Sequence, residues 1–191
     1  MDLLHAFFSL FCAQTLERSF WMGGHVLPVC QRCLGVYCGL LFGALAVPAV
    51  FRRVAVAPGH WGMVFIIGAI AAMAIMGSHV IDPGPISRFL GGCAFGAALA
   101  WLALAAAKSW LLGHPKRSAT ARETACFVLA VVAAGGGLSI ALKTGSSFLY
   151  PVLRAIALSG WVVAYCLLGA LVFAWLAEAS RKRSHRSVRQ L

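Results

Sequence analysis

Long apolar stretches separated by short polar segments dominate the chain. Five of them are close to the length of about 20 apolar residues that a helix needs to cross the hydrocarbon core of a bilayer. The pattern therefore predicts an all-α integral membrane helical bundle with about five transmembrane helices. The predicted helices are Leu34–Phe51, Trp61–Val80, Phe89–Ala107, Thr124–Leu142 and Val152–Ala177.

A shorter apolar stretch, Leu3–Ala13, precedes these five. A helix over it rises about 1.5 Å per residue and is only ~17 Å long, roughly half a bilayer. The stretch lacks the basic segment before it and the small-residue cleavage site after it that mark a secretory signal peptide. We therefore expect an N-terminal half-helix that is re-entrant or lies in the membrane interface.

Turn-forming and basic residues fill the connections between the apolar runs. They predict one membrane-embedded domain over residues 1–180 and a basic cytoplasmic tail over residues 181–191. Within that domain, residues 1–33 hold the half-helix and a cysteine-rich motif that is expected to face outward.

Composition supports the membrane assignment. The 191 residues are 61% hydrophobic and 11% charged, whereas soluble domains carry about 25% charged residues. A small soluble globule is mostly surface and cannot bury this excess. The net charge is +11, and the basic residues responsible for it lie between and after the apolar runs. This distribution favours anionic lipids at the cytoplasmic face as partners. Nucleic acid is excluded as a partner, because no motif for binding it is present.

The distribution of the basic residues predicts the orientation. Eleven fall in the connections on one side of the predicted helices and in the tail, and five fall on the other side. The positive-inside rule then places the C-terminus in the cytoplasm and the N-terminus outside the cell (inner) membrane. The five outer residues are Arg18, Arg32, Arg88, Lys143 and Arg154.

Candidate chemistry concentrates between the half-helix and the first long run. Cys30 and Cys33 form a C-x-x-C pair at the mouth of that run. His25 lies five residues before the pair, and Cys12 is within reach of a short loop.

Two blocks of this segment resemble the signature of a family of small prokaryotic membrane proteins catalogued as domain of unknown function 2085. That signature is similar to C-H-x-x-P-E-R-S-F followed by L-P-x-C-x-R-C-x-G-x-Y. Ala13 and Leu16 depart from it, because the family usually has His and Pro there. The resemblance implies a membrane protein with a site here and brings no activity with it. The matching residues are Cys12, Glu17, Arg18, Ser19, Phe20, Leu27, Pro28, Cys30, Arg32, Cys33, Gly35 and Tyr37.

A metal site is the first interpretation of the cluster. Zinc prefers about four nitrogen or sulfur ligands in a tetrahedron, and a C-x-x-C pair commonly supplies half of them. Such a site would be structural or would handle a ligand, with further polar groups around it. The proposed ligands are Cys12, His25, Cys30 and Cys33, and the surrounding groups are Glu17, Arg18 and Arg32.

A redox site is the second interpretation. A C-x-x-C pair at the outer face of a helical bundle can pass electrons to a membrane quinone, which would make the protein a thiol-disulfide oxidoreductase. Only Cys12 and Cys38 are available to extend a relay from Cys30 and Cys33. A structural disulfide, or reduced thiols packed in the bundle, is a third interpretation. Whether the protein is an enzyme stays open.

Phosphate binding is a further alternative, because the arginine fork suits phosphate oxygens. Arg18, Arg32 and Arg88 fall on the outer side, together with His79 and Asp82. Ion pairs between Asp82 and Arg88, and between Glu17 and one of the two nearer arginines, are also expected there. This grouping is compatible with a transporter or a lipid-phosphate-binding membrane protein.

Overall fold

A computed structural model describes residues 3–12, 14–51, 55–77, 84–111 and 116–188. Helices make up most of this part of the chain, so the prediction of an all-α membrane helical bundle is confirmed. Two short pairs of strands accompany the helices. The helices are α1 Leu3–Ser9, α2 Gln31–Phe51, α3 His60–Gly77, α4 Pro85–Leu111, α5 Ala121–Lys143 and α6 Leu149–Val188, and the strands are β1 Ser19–Met22, β2 His25–Cys30, β3 Ala55–Ala57 and β4 Lys116–Ser118.

Four helices, α2, α4, α5 and α6, are long and apolar enough to cross a membrane. Helix α3 is apolar too, but its stretch His60–Met76 is shorter than the other four. The predicted number of five spanning helices therefore stays a prediction as far as α3 is concerned.

Helix α6 continues well beyond the apolar run that ends at Ala177 and reaches Val188. The greater part of the predicted tail is thus helical. Residues 52–54, 78–83 and 112–115 lie outside the described residues, as does Ala13. They include parts of the predicted connections and the end of the predicted helix Trp61–Val80.

Helices α2 and α4 form the closest helix pair of the bundle. A Cβ atom added at Gly35 would lie 2.1 Å from the carbonyl oxygen of Phe89, and one added at Gly39 would lie 2.1 Å from that of Cys93. Small residues let two backbones approach in this way where lipid removes any hydrophobic driving force between helices. Because successive turns meet in the same order, the two helices run parallel and begin at the same end of the bundle.

The two strand pairs lie at opposite ends of the bundle. Strands β3 and β4, which precede α3 and α5, pair in parallel, with Ala55 opposite Lys116. The buried Trp101 of α4 joins this end, since its indole N–H donates to the carbonyl oxygen of Val56 at 3.1 Å. Strands β1 and β2 pair in front of α2, at the end where α2 and α4 both begin.

Replacing Gly39 by alanine is expected to destabilise the bundle by about 1–3 kcal/mol, because α2 and α4 must separate to admit the methyl group. The measurement is the free energy of unfolding in mixed micelles. Gly136→Ala in α5 is the matched control, since nothing lies within 4 Å of a Cβ atom there, and it should be neutral or slightly stabilising. Equal stability of the two variants would contradict the close helix contact.

Candidate functional site

A β-hairpin delivers the C-x-x-C pair to the start of α2. Its two-residue turn is Gly23-Gly24, with φ of +55° and +84°, and positive φ at both central residues is what a tight type I′ turn requires. Ser19 pairs with Cys30 at the open end of the hairpin. Strand β2 then continues directly into α2, so that Cys33 lies in the first helical turn. The Gly-Gly pair in the sequence indicates such a hairpin, whereas the hydropathy pattern does not.

The side chain of Gln14 holds the N-terminal segment against this hairpin. Its amide nitrogen donates to the carbonyl oxygen of His5 in α1 at 2.9 Å and to that of Pro28 in β2 at 2.7 Å. The backbone of Gln14 lies in the left-handed region with φ of 45°, which is uncommon for a residue with a side chain. The chain therefore turns back at Gln14 and brings Cys12 to the hairpin. A single glutamine carries no motif, so this role could not be predicted from the sequence.

Helix α1 is anchored by aromatic packing. Phe8 is fully buried, with its ring 5.9 Å from that of Tyr37 in α2. Phe7 packs edge-on against Trp161 of α6 at 4.8 Å. The predicted half-helix is thus a short helix packed across the end of the bundle at which α2 begins.

The sulfur atoms of Cys12, Cys30 and Cys33 all lie within 4.8 Å of one another. Backbone donors support two of them: the N–H of Cys30 donates to Sγ of Cys12 at 3.2 Å, and that of Cys33 to Sγ of Cys30 at 3.5 Å. Sulfur atoms bound to one tetrahedral zinc at 2.3 Å would be about 3.8 Å apart. Small side-chain rotations would therefore let the three sulfurs bind one metal ion.

The cluster stabilises one thiolate. Hydrogen bonds from the thiols of Cys30 and Cys33 to Cys12 lower the pKa of Cys12 far below that of an ordinary thiol. The same contact raises the pKa of Cys30, because its thiol donates to the Cys12 sulfur and a second charge beside the first is unfavourable. Such a shared thiolate is poised for a thiophilic ion.

His25 is not brought to the three sulfurs. It lies at the opposite end of β2 from Cys30, and five steps along an extended strand separate the two by about 16 Å. The imidazole is exposed and its ring lies 5.2 Å from that of Tyr150 in α6. The structure therefore brings together three of the four ligands expected from the sequence, because His25 and Cys30 lie at opposite ends of an extended strand.

Three arginines share a cavity with the three cysteines. The cavity measures about 260 Å³, and Arg18, Arg32 and Arg88 line it. The guanidinium of Arg88 donates to Oε1 of Gln31 at 3.0 Å. That of Arg32 donates to the carbonyl oxygen of Met76 at the end of α3.

The other expected polar groups do not all join this cavity. Glu17 is exposed and does not line it. His79 and Asp82 lie outside the described residues, so the ion pair expected between Asp82 and Arg88 is not described either. Cys38 is buried in the core together with Cys93, among the helices rather than in the cavity.

The fold and the cavity define a helical membrane protein with a cysteine cluster at one end of its bundle. The family model described as "Predicted membrane protein (DUF2085)" matches residues 12–102. That range contains the cysteine segment and the close pair α2 and α4, so the resemblance noted in the sequence is confirmed over this part of the chain.

A protein of Methanocaldococcus jannaschii, named "Uncharacterized protein MJ1492", is 37% identical over 79 residues. The match covers 39% of this chain and 47% of that protein, so it spans about half the length of the relative. No solved structure matches the chain.

The lowered pKa of Cys12 predicts that its alkylation in metal-free protein changes little between about pH 8 and about pH 6, whereas an ordinary thiol loses about tenfold per unit in this range. The sign follows from the thiolate, which persists as the pH falls. Cys33→Ala removes one of the two thiol donors and should make the rate fall more as the pH is lowered than in the wild type, while Cys38→Ala should not. Mass spectrometry of iodoacetamide-treated protein measures the rates. An ordinary pH dependence of Cys12 in the wild type would contradict the shared thiolate.

Proposed function

We propose that this membrane protein binds one thiophilic metal ion, zinc in the first place, through Cys12, Cys30 and Cys33. The observation that carries the proposal is the proximity of the three sulfur atoms. Cys12 joins the other two although it precedes Cys30 by 18 residues along the chain. The backbone N–H groups that point at two of the sulfurs support metal-bound thiolates, because charge-assisted donors stabilise negative sulfur.

The number of protein ligands favours a site that handles a ligand over a purely structural one. Structural zinc sites are closed by four protein ligands, whereas sites that act on a ligand keep three and leave one position open. The three cysteines lie at a cavity rather than inside a closed core, so a fourth position on the metal would face that space. The metal would also tie α1 to the start of α2.

We further propose that the cluster faces outward from the cell (inner) membrane. Arg18, Arg32 and Arg88 lie at the end of the bundle that carries the cluster. The opposite end, where α4 ends and α5 begins, carries Lys108, Arg117 and Arg122. With the basic tail added, the positive-inside rule assigns that opposite end to the cytoplasm, where anionic lipids would meet it.

The metal is tested on purified, detergent-solubilised protein that has been freed of metal with a chelator. We expect one Zn²⁺, Cd²⁺ or Co²⁺ per chain, with a thiolate-to-metal charge-transfer band for Cd²⁺ and Co²⁺. Cys12→Ala should lose at least about tenfold in affinity, because a three-ligand site becomes a two-ligand site. The measurements are elemental analysis and absorbance titration.

Two control variants sharpen this experiment. Cys38→Ala removes a buried cysteine outside the cluster and should leave metal affinity unchanged. His25→Ala should also leave it unchanged, because β2 holds that imidazole away from the sulfurs. A protein that binds no metal and instead forms a reducible bond between Cys30 and Cys33 would overturn the metal proposal in favour of a quinone-linked thiol oxidoreductase.

A further inference from the structure

We propose that the cavity beside the cysteine cluster is an anion site, which holds a phosphate-type oxyanion between Arg18, Arg32 and Arg88. This inference deepens the proposed function, since it names the class of ligand that the open metal position would meet. It rests on the lining charges, an unpaired buried donor, the helix termini and the size of the cavity.

Basic side chains are prominent in the lining of the cavity. Three guanidinium groups and three cysteines line it, and none of the lining residues within the described ranges is a carboxylate. Arginine is the side chain best suited to bind an oxyanion with paired hydrogen bonds.

Arg32 supplies the most specific observation. Its Nε atom is buried, and within the described part of the chain nothing accepts a hydrogen bond from it. The other end of the same guanidinium donates to the carbonyl oxygen of Met76, which fixes the orientation of the group. A buried donor without a partner is costly in a folded protein, and a bound ion or water is one of the groups that can satisfy it. An oxyanion in the cavity that Arg32 lines would supply the missing acceptor.

The helices reinforce the positive potential. Arg88 lies in the first turn of α4, and Gln31, to which it donates, is the first residue of α2. Because the two helices run parallel, the positive ends of both helix dipoles lie at this end of the bundle, where they favour an anion.

The size of the cavity limits the ligand. About 260 Å³ equals the volume of about nine water molecules and is less than the roughly 300–1,000 Å³ of most pockets for organic ligands. It accommodates a tetrahedral oxyanion and a few waters. The anion can be free phosphate from outside the cell or the phosphate of a lipid headgroup. Phe11 lines the same cavity and is 49% exposed, so an acyl chain could pass beside it.

Phosphate is tested on metal-loaded protein in a phosphate-free maltoside detergent. Inorganic phosphate and, separately, phosphatidylglycerol are added, and binding is followed by calorimetry and by the thermal unfolding midpoint. Arg32→Gln should lower the affinity for whichever of the two ligands binds by at least about tenfold, as expected when a charged donor pair is lost. Arg18→Gln is a second variant in case the first fails to fold. Arg154→Gln is the matched control, because this arginine stacks on Tyr150 and does not line the cavity.

The outcomes separate the two sources and the two proposals. Stabilisation by phosphate alone assigns the site to the free anion, and stabilisation by the lipid alone assigns it to a headgroup. No effect of either ligand, or an equal effect in the wild type and in the cavity variants, overturns the anion site. Metal binding is measured beforehand in the absence of phosphate, and the phosphate titration is repeated on metal-free protein. A metal site without an anion site and an anion site without metal are then each recognised directly.

Discussion

Backbone contact between α2 and α4 is the constraint on which the rest of the structure depends. The carbonyl groups of Phe89 and Cys93 occupy the space that side chains at Gly35 and Gly39 would need. Glycine at these positions lets the two helices lie side by side in parallel. Their parallel course brings the start of α2, with its cysteine pair, next to the start of α4, with Arg88.

The second requirement is that the N-terminal segment returns to the same end. Phe8 anchors α1 in the core, and Gln14 joins α1 to β2 through two carbonyl groups. A positive φ at a non-glycine residue persists only when surrounding contacts hold it. The hairpin and the glutamine together carry Cys12 across an interval of 18 residues to the backbone N–H of Cys30. The cluster therefore depends on a fold-back as much as on the C-x-x-C motif.

Sulfur and guanidinium groups in one cavity complement each other chemically. Three sulfurs offer a metal ion three ligands, and hydrogen bonds from the neighbouring thiols lower the pKa of Cys12, which favours a thiolate there. The three arginines that line the same cavity offer donors to an oxyanion. A metal on the cysteines and an oxyanion between the arginines would then share one small, partly enclosed space, in which Coulomb interactions are stronger than in water.

The sequence by itself determined the membrane class, the helical bundle and the location of the chemistry. Apolar runs of this length are stable only as helices in lipid. The C-x-x-C spacing of Cys30 and Cys33 indicates a candidate site directly. The sequence did not predict two features of the candidate site, and the reason is the same for both. His25 was grouped with the cysteines because separation along the chain says nothing of direction, and only the extended course of β2 moves it away. Gln14 carries no motif, yet its amide fixes Cys12. The tertiary structure alone decided which distant side chains meet, because those meetings depend on hydrogen bonds and packing between segments that no local pattern records.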